Sequence, residues 1–299
     1  MAGKRLARAA ALAAACAALG AAAADDGARW YLQVDNDSFF DTDRWYTSGL
    51  RIGRVAPRGD HDDEWGVLQE IYTPEAKFDN PVDRPPAARL LVTYARHERL
   101  PGDWRTYEVD VGVTGPSALG EQAQRIAHSV VSAPHEDWAA QRGDQLDGDI
   151  ACARTLALPA RALGLRFAAH YGALAGNQLA FVHGGLEVRY GHGAALDLFS
   201  PVMRYAATPP LTRERPGGSW SVFAGATARA VLVNHLLDFQ DGSTAAALER
   251  KDVVGRFVLG GAWTYRAASL SFALVQETKE FVGQHRNHDF GSVTLHIPF

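Results

Sequence analysis

Hydrophobic and polar residues alternate with period two in short stretches along most of this chain, the spacing of β-strands with two unlike faces. In 105–113 (RTYEVDVGV), Tyr107, Val109, Val111 and Val113 share one face, and Glu108 and Asp110 lie opposite. In 165–171, Leu165, Phe167, Ala169 and Tyr171 alternate with Arg166, Ala168 and His170. Leu186, Val188 and Tyr190 alternate with Glu187 and Arg189, and Leu270, Phe272 and Leu274 with serine and alanine. The closing segment GSVTLHIPF puts Val293, Leu295, Ile297 and Phe299 on one face. The pattern predicts twelve strands, over 29–36, 46–56, 65–72, 87–98, 104–114, 149–158, 162–174, 178–191, 219–233, 252–266, 268–279 and 290–299. Residues 194–218, with four prolines and a closing Gly-Gly, read as a loop.

One segment breaks this pattern. The spacing predicts a helix over 117–131, with Ser117 as N-cap after Gly115-Pro116. Leu119, Ala123, Ile126 and Val130 make an apolar stripe at helical spacing, and Glu121, Gln124 and His128 fall on another face.

Soluble sandwiches and membrane barrels share such alternation, and three features favour a barrel. Lys4, Arg5 and Arg8 precede the small apolar run 9–24, which ends in Ala-x-Ala before Asp25. That is the layout of a secretory signal peptide, expected to span 1–24 and leave 25–299 as one domain. Its apolar run falls short of the roughly 20 residues a membrane span needs, and no later window reaches that length. Trp30, Trp65, Trp104, Trp220, Trp263 and Tyr265 fall near strand ends, as an aromatic girdle requires. The terminal Phe299 resembles the C-terminal signature of bacterial outer-membrane barrels. The expected fold is therefore all-β, a twelve-stranded antiparallel transmembrane β-barrel with a short helix in an extracellular loop, in a bacterial outer membrane. An even strand number suits single-chain barrels.

Composition changes this picture little. The chain has 299 residues, 47% hydrophobic and 21% charged, with a formal charge of −4. Its mean hydropathy of −0.16 looks soluble. A barrel offers lipid only one residue in two, so the average hides the lipid-facing half. The composition excludes a disordered chain, and the missing basic excess speaks against a nucleic-acid partner. Cys16 lies in the leader, so Cys152 has no intramolecular disulfide partner and reads as a small buried or lipid-facing residue.

Three constellations carry chemistry. Val34-Asp35-Asn36-Asp37 ends the first strand, with Gln33, Asp35 and Asp37 inward if Trp30, Leu32 and Val34 face lipid. Acids and an amide there suit Ca²⁺, and equally a polar rim turn. In TDRWYTSGLR (42–51), with Tyr46, Ser48, Leu50 and Ile52 outward, Thr47 and Arg51 point to the lumen. Either a site or an ordinary wet lumen accounts for them. His128 follows Gln124 by one helical turn, an arrangement in which the amide would orient a general base. A solvated helix histidine is the alternative. No Gly-x-Ser-x-Gly elbow and no His-Glu-x-x-His pattern is present.

Taken together, these segments resemble the lipid A 3′-O-deacylase (LpxR-like) family of outer-membrane enzymes. The resemblance runs through Asn36 and Asp37, then Asp43, Arg44, Tyr46, Thr47 and Gly49, then Ile71, Tyr72, Thr73 and Pro74, then Asp83, Arg84 and Pro85. It continues with Gly115, Pro116, Ser117, Leu119, Gly120, Glu121, Gln122, Gln124, His128 and Trp138. Near the end it takes in Asn234, Leu237 and Asp238, then Thr278, Lys279, Glu280, Phe281, Gly283 and Gln284. It covers nearly the whole mature chain.

The resemblance implies a Ca²⁺-dependent hydrolase that removes the 3′-linked acyl-oxyacyl group of lipid A, by histidine-activated water attack on the ester. Carried onto this chain, His128 is the base, with Asn36, Thr47 and Gln124 completing the catalytic set. Asp37, Asn36 and Glu136 hold the metal, and Arg84 and Arg44 meet the substrate or pair within the lumen. The chain departs from the pattern in SAPHEDW (132–138) and QRGDQLDGD (141–149), and in Pro-Ala after Asp83-Arg84-Pro85. The expected partner is lipopolysaccharide in the outer leaflet, met by a membrane-embedded monomer. An outer-membrane phospholipase or esterase, or a non-enzymatic porin-like barrel, are the competing readings.

Overall fold

The structure, a computed structural model, describes residues 27–298 apart from 41, 76–82, 132–136, 163, 194–217, 238–247 and 266–267. The expected leader, Glu136, Asp238, Phe299 and nearly all of the 194–218 segment therefore lie outside the described residues. Twelve strands form: β1 (Arg29–Asn36), β2 (Trp45–Arg58), β3 (His61–Thr73), β4 (Ala87–Leu100), β5 (Asp103–Thr114), β6 (Gln145–Ala162), β7 (Leu165–Gly176), β8 (Leu179–His192), β9 (Ser219–Asn234), β10 (Val253–Tyr265), β11 (Ala268–Glu277) and β12 (His288–Pro298). Each pairs antiparallel with its neighbour in sequence. β1 also pairs with β12, Arg29 opposite Pro298 and Asn36 opposite Gly291, so the sheet closes. Closure leaves every strand with two partners, as lipid demands of backbone polar groups. β6 starts at Gln145 rather than 149 because the alternation continues, with Asp147 and Asp149 inward and Leu146 and Ile150 outward.

Burial is inverted relative to a water-soluble protein. Leu32, Val34, Leu50, Ile52, Val109, Val111, Leu259, Leu270, Leu295 and Ile297 are exposed, whereas Gln33, Asp35, Arg51, Glu64, Glu70 and Arg89 are buried. The outward band faces lipid, and the inward residues form a polar core. Arg89 on β4 reaches Glu70 at 3.1 Å and Asp147 and Asp149 at 2.7 Å each. Arg51 on β2 reaches Glu64 at 2.7 Å and Glu108 at 3.1 Å, while His97 closes on Glu64 at 3.0 Å. Arg229 and Arg256 share Glu277. Ion pairs across facing strands brace the interior of the barrel.

Connections of two residues, such as 59–60 and 101–102, lie at the end that holds the start of β1 and the end of β12. Longer ones, such as 37–44 and 115–144, lie at the other end. Short turns mark the periplasmic side and longer loops the outside. Exposed Trp65, Trp220, Trp263 and Tyr265 ring the periplasmic end, with Tyr94 tilted against Trp65 at 4.6 Å. Trp104 does not join them. It alternates with outward Arg105 and Tyr107, so it points inward, where the Arg99 guanidinium covers its ring at 5.1 Å. Exposed Cys152 takes the lipid-facing alternative.

Candidate active site at the outer rim

β1 stops at Asn36 because its side-chain Oδ1 accepts the Ser38 N–H at 2.7 Å, bending the chain into a 3₁₀ turn at Asp37–Phe40. Asp37 is buried, and its Oδ2 accepts the Arg44 backbone N–H at 2.7 Å and the Thr42 hydroxyl at 3.2 Å. Burial pushes its carboxyl up to about 8, and the neighbouring Asp43 charge pushes the same way.

β2 opens at Trp45, whose φ of 55° lies in the left-handed region. The β2–β3 register then shifts between Tyr46 and Ser48, leaving Thr47 as a bulge residue. A bulge re-aims side chains, and two consecutive ones turn inward here. Tyr46, expected outward, donates its hydroxyl to Asp35 Oδ2 at 2.8 Å and packs against Phe290 at 4.9 Å. It crosses so close to Gly49 that a Cβ there would sit 2.0 Å from the Tyr46 hydroxyl. Thr47 is buried beside Thr73, hydroxyl to hydroxyl.

The helix, α1 (Gly120–Val131), packs on β3 and β4. Before it come a 3₁₀ turn, Pro116–Ala118, and Leu119 in the left-handed region at φ 61°. Ser117 is not the N-cap. Its N–H and hydroxyl go to Asp144 at 2.6 and 2.8 Å, tying the start of the loop to its end. Of the apolar stripe, Ala123 packs against Ile71, Ala88 and Trp138, while Ile126 is 67% exposed. Gly120, Gln124 and His128, at i, i+4 and i+8, are the buried positions. The partners waiting beneath are an indole N–H and a carboxylate, so the helix buries its polar edge. A Cβ on Gly120 would lie 2.4 Å from Ala88 Cβ and 2.7 Å from Trp138, so glycine sets the distance of closest approach.

Two side chains on that edge are held firmly. Gln124 Oε1 accepts the Trp138 indole N–H at 2.8 Å, and its Nε2 is buried with no hydrogen-bond partner among the described residues. His128 Nε2 lies 3.3 Å from Asp43 Oδ2. The ring therefore meets a carboxylate, with Gln124 fixed by Trp138 alongside. Burial raises the Asp43 carboxyl, while His128 and the Thr47 and Thr73 hydroxyls pull it down. The structure thus gathers His128, Thr47 and Asp37 around Asp43, with Asn36 adjoining. Helical spacing alone did not reveal Asp43 as the hub. Its signal was an acid immediately before Arg44-Trp45-Tyr46-Thr47.

Arg44 and Arg84 serve the protein itself. Arg44 is buried, 3.0 Å from Glu75 and 4.7 Å over the Trp45 ring. Arg84 lies 4.3 Å over Tyr72, donates to the Leu236 carbonyl at 3.4 Å and sits 3.7 Å from Glu280. Internal pairing, the alternative open in the sequence, is what forms. His285 and Arg286 are further basic groups at this rim, both partnered by Glu75 and more than a third exposed.

The donor set suits a hard cation. Asp37 is held well above the usual carboxylate range by burial, and Asp43 Oδ1 is buried without a hydrogen-bond partner, so acidic oxygens that a cation would satisfy lie together here. Among the described residues no three His, Cys, Asp or Glu side chains form a ready ligand cluster.

A family model described as outer membrane protein LpxR matches residues 6–299. The solved structure of LpxR from Salmonella typhimurium aligns with a TM-score of 0.78 at 20% identity, covering 91% of this chain and 100% of that one. The beta domain of the Bordetella autotransporter BrkA is more distant, at TM-score 0.47 and 9% identity over 92% of this chain and 100% of its own. The translocator domain of NalP from Neisseria meningitidis is equally so, at 0.47 and 10% over 99% and 98%. No curated protein matches the chain. A closed twelve-stranded barrel, embedded in the outer membrane and carrying one loop helix over its rim, this chain belongs to the LpxR family of outer membrane proteins.

Proposed function

We propose that this protein hydrolyses the 3′-linked acyl-oxyacyl ester of lipid A in the outer leaflet. The observation that carries the reading is the His128–Asp43 contact at the outer rim, 3.3 Å long and beside buried Asp37 and Thr47. Asp43 keeps the imidazole proton on Nε2, which leaves Nδ1 as the base. Nδ1 takes a proton from water as its oxygen attacks the ester carbonyl carbon. The tetrahedral intermediate then expels the sugar 3′-oxygen, which takes that proton back from the imidazolium. Gln124 Nε2, buried without a hydrogen-bond partner among the described residues, would donate to the carbonyl oxygen.

Asp37 and Asn36 would hold Ca²⁺, with Glu136 as a further candidate. When bound, Ca²⁺ supplies electrostatic stabilisation of negative charge on the ester oxygen. His285 and Arg286, partly exposed at the rim, would meet lipid A phosphate. The porin reading has little in its favour, because braced ion pairs occupy the lumen.

The test is expression in a bacterium with unmodified lipid A, followed by mass spectrometry. Loss of the 3′ acyl-oxyacyl group, abolished by His128→Ala, supports the assignment. Intact lipid A alongside fully folded barrel refutes it, and release of phospholipid acyl chains instead selects the phospholipase reading.

A further inference from the structure

The lipid-facing wall is apolar in its central band but charged toward the periplasmic end, where Arg54, Asp63, Arg96 and Glu98 on β2–β4 stand beside a further polar set on β5–β7. Arg105 on β5, Arg154 on β6 and Tyr171 on β7 stand in one register row, Arg105 opposite Arg154 and Arg154 opposite Tyr171. The neighbouring row is Tyr107, Cys152 and Ala173. These positions share the outward face with Val109, Val111 and Ile150. The small side chains of the second row leave a groove between the two tyrosines, lined by Arg105, Tyr107, Cys152, Arg154 and Tyr171.

Its polar atoms are partly committed. Asp103 Oδ2 accepts from Arg105 Nε and Nη2 at 3.2 and 3.0 Å, and from Arg154 Nη2 at 2.8 Å. Arg154 Nε reaches Asp103 Oδ1 at 2.9 Å, and its Nη1 reaches the Tyr171 hydroxyl at 3.4 Å. Two guanidinium groups thus share one carboxylate, and Glu98 and Arg96, opposite Arg105 and Tyr107 on β4, offset each other at 3.4 Å, so the patch keeps a local excess of one positive charge. Among the described residues Arg105 Nη1 and the Tyr107 hydroxyl have no hydrogen-bond partner.

Arginine on the lipid face is costly at the bilayer midplane and nearly free of cost at the interface. Asp103 opens β5 directly after the turn at 101–102, so both arginines sit at the level of the inner-leaflet phosphates. We propose that this groove binds an anionic glycerophospholipid of the inner leaflet. Its phosphate takes the Arg105 Nη1 and Tyr107 hydroxyl donors, under the excess positive charge of the pair. One acyl chain lies over Cys152 and Ala173 and continues along Val109 and Ile150. The site lies at the opposite end of the barrel from His128, and does not depend on the proposed catalysis.

The probe is phosphatidylglycerol. Protein refolded in vesicles of equal parts phosphatidylethanolamine and phosphatidylglycerol is extracted and examined by native mass spectrometry. The wild type is expected to retain one phosphatidylglycerol in preference to phosphatidylethanolamine. The double variant Arg105→Gln/Arg154→Gln is expected to lower that occupancy about tenfold, the loss of roughly one charge-assisted contact. Arg105→Lys/Arg154→Lys keeps charge and retains part of it. If the glutamine variant does not fold, Tyr107→Phe serves, removing one donor and lowering occupancy more weakly. Equal retention of both lipids by the wild type, or unchanged occupancy in a folded glutamine variant, overturns the proposal.

Discussion

His128 Nε2 and Asp43 Oδ2 lie 3.3 Å apart, the one from α1 and the other from the segment leading into β2. The pair bridges two long-separated parts of the chain across the rim. Its consequence is testable. Asp43→Asn leaves a side chain of the same shape but removes the charge that fixes the tautomer and steadies the imidazolium. We expect turnover to fall about 10²–10⁴-fold, with little change in KM and a folded barrel. Acyl release from lipid A measured by mass spectrometry against time checks this. Turnover within a few-fold of wild type would remove Asp43 from the mechanism.

Gly120→Ala sets two effects against each other. In an exposed helix the change favours folding by about 1 kcal/mol. Here the new methyl meets Ala88 Cβ, fixed on β4, at 2.4 Å and the Trp138 ring at 2.7 Å. Overpacking of this kind costs about 1–3 kcal/mol, so the clash wins and α1 must lift from the wall. The expected outcome is a normally assembled barrel, seen as an unchanged heat-modifiable band on electrophoresis, with most of its activity lost.

Asp37→Asn addresses the cation. An amide oxygen can still accept the Arg44 N–H and Thr42 hydroxyl, so the turn survives. The anionic charge that suits a hard ion does not. Calcium affinity, measured by equilibrium dialysis with the detergent-solubilised protein, is expected to drop about tenfold or more. Unaltered affinity would move the metal elsewhere.

The barrel was legible because one physical rule, alternation, repeats along every strand. Where alternation alone decides, as for Glu108 and Asp110 on β5, the inward residues are the expected ones. Sequence reading failed where a local irregularity overrides the period. The bulge at Tyr46/Ser48 turns Tyr46 inward against its parity. In α1 the sequence shows an apolar stripe, but hydrophobicity does not reveal that the surface beneath presents Trp138 Nε1 and the Asp43 carboxylate. Arg44 and Arg84 looked like substrate groups because sequence does not show that Glu75 and Glu280 await them on distant loops. Trp104 is the opposite case, since its own parity with Tyr107 already placed it inside.

The interior offers a last prediction, independent of catalysis. Arg89 is the cation shared by Glu70, Asp147 and Asp149, and all four side chains are buried. Arg89→Ala leaves three carboxylates facing one another without the charge that holds them, and removing one partner of a buried ion pair costs about 3–5 kcal/mol. The same cluster joins β3 and β4, on which α1 packs, to β6, where α1's connection ends. Urea unfolding in lipid vesicles, followed by tryptophan fluorescence, should show a midpoint shifted down by that amount. Adding Asp147→Asn and Asp149→Asn to Arg89→Ala should recover part of the loss, because it relieves the repulsion while keeping the volume. A single variant as stable as the wild type would mean that water, rather than ion pairing, screens these acids, and the description of the lumen as a braced core would fail with it.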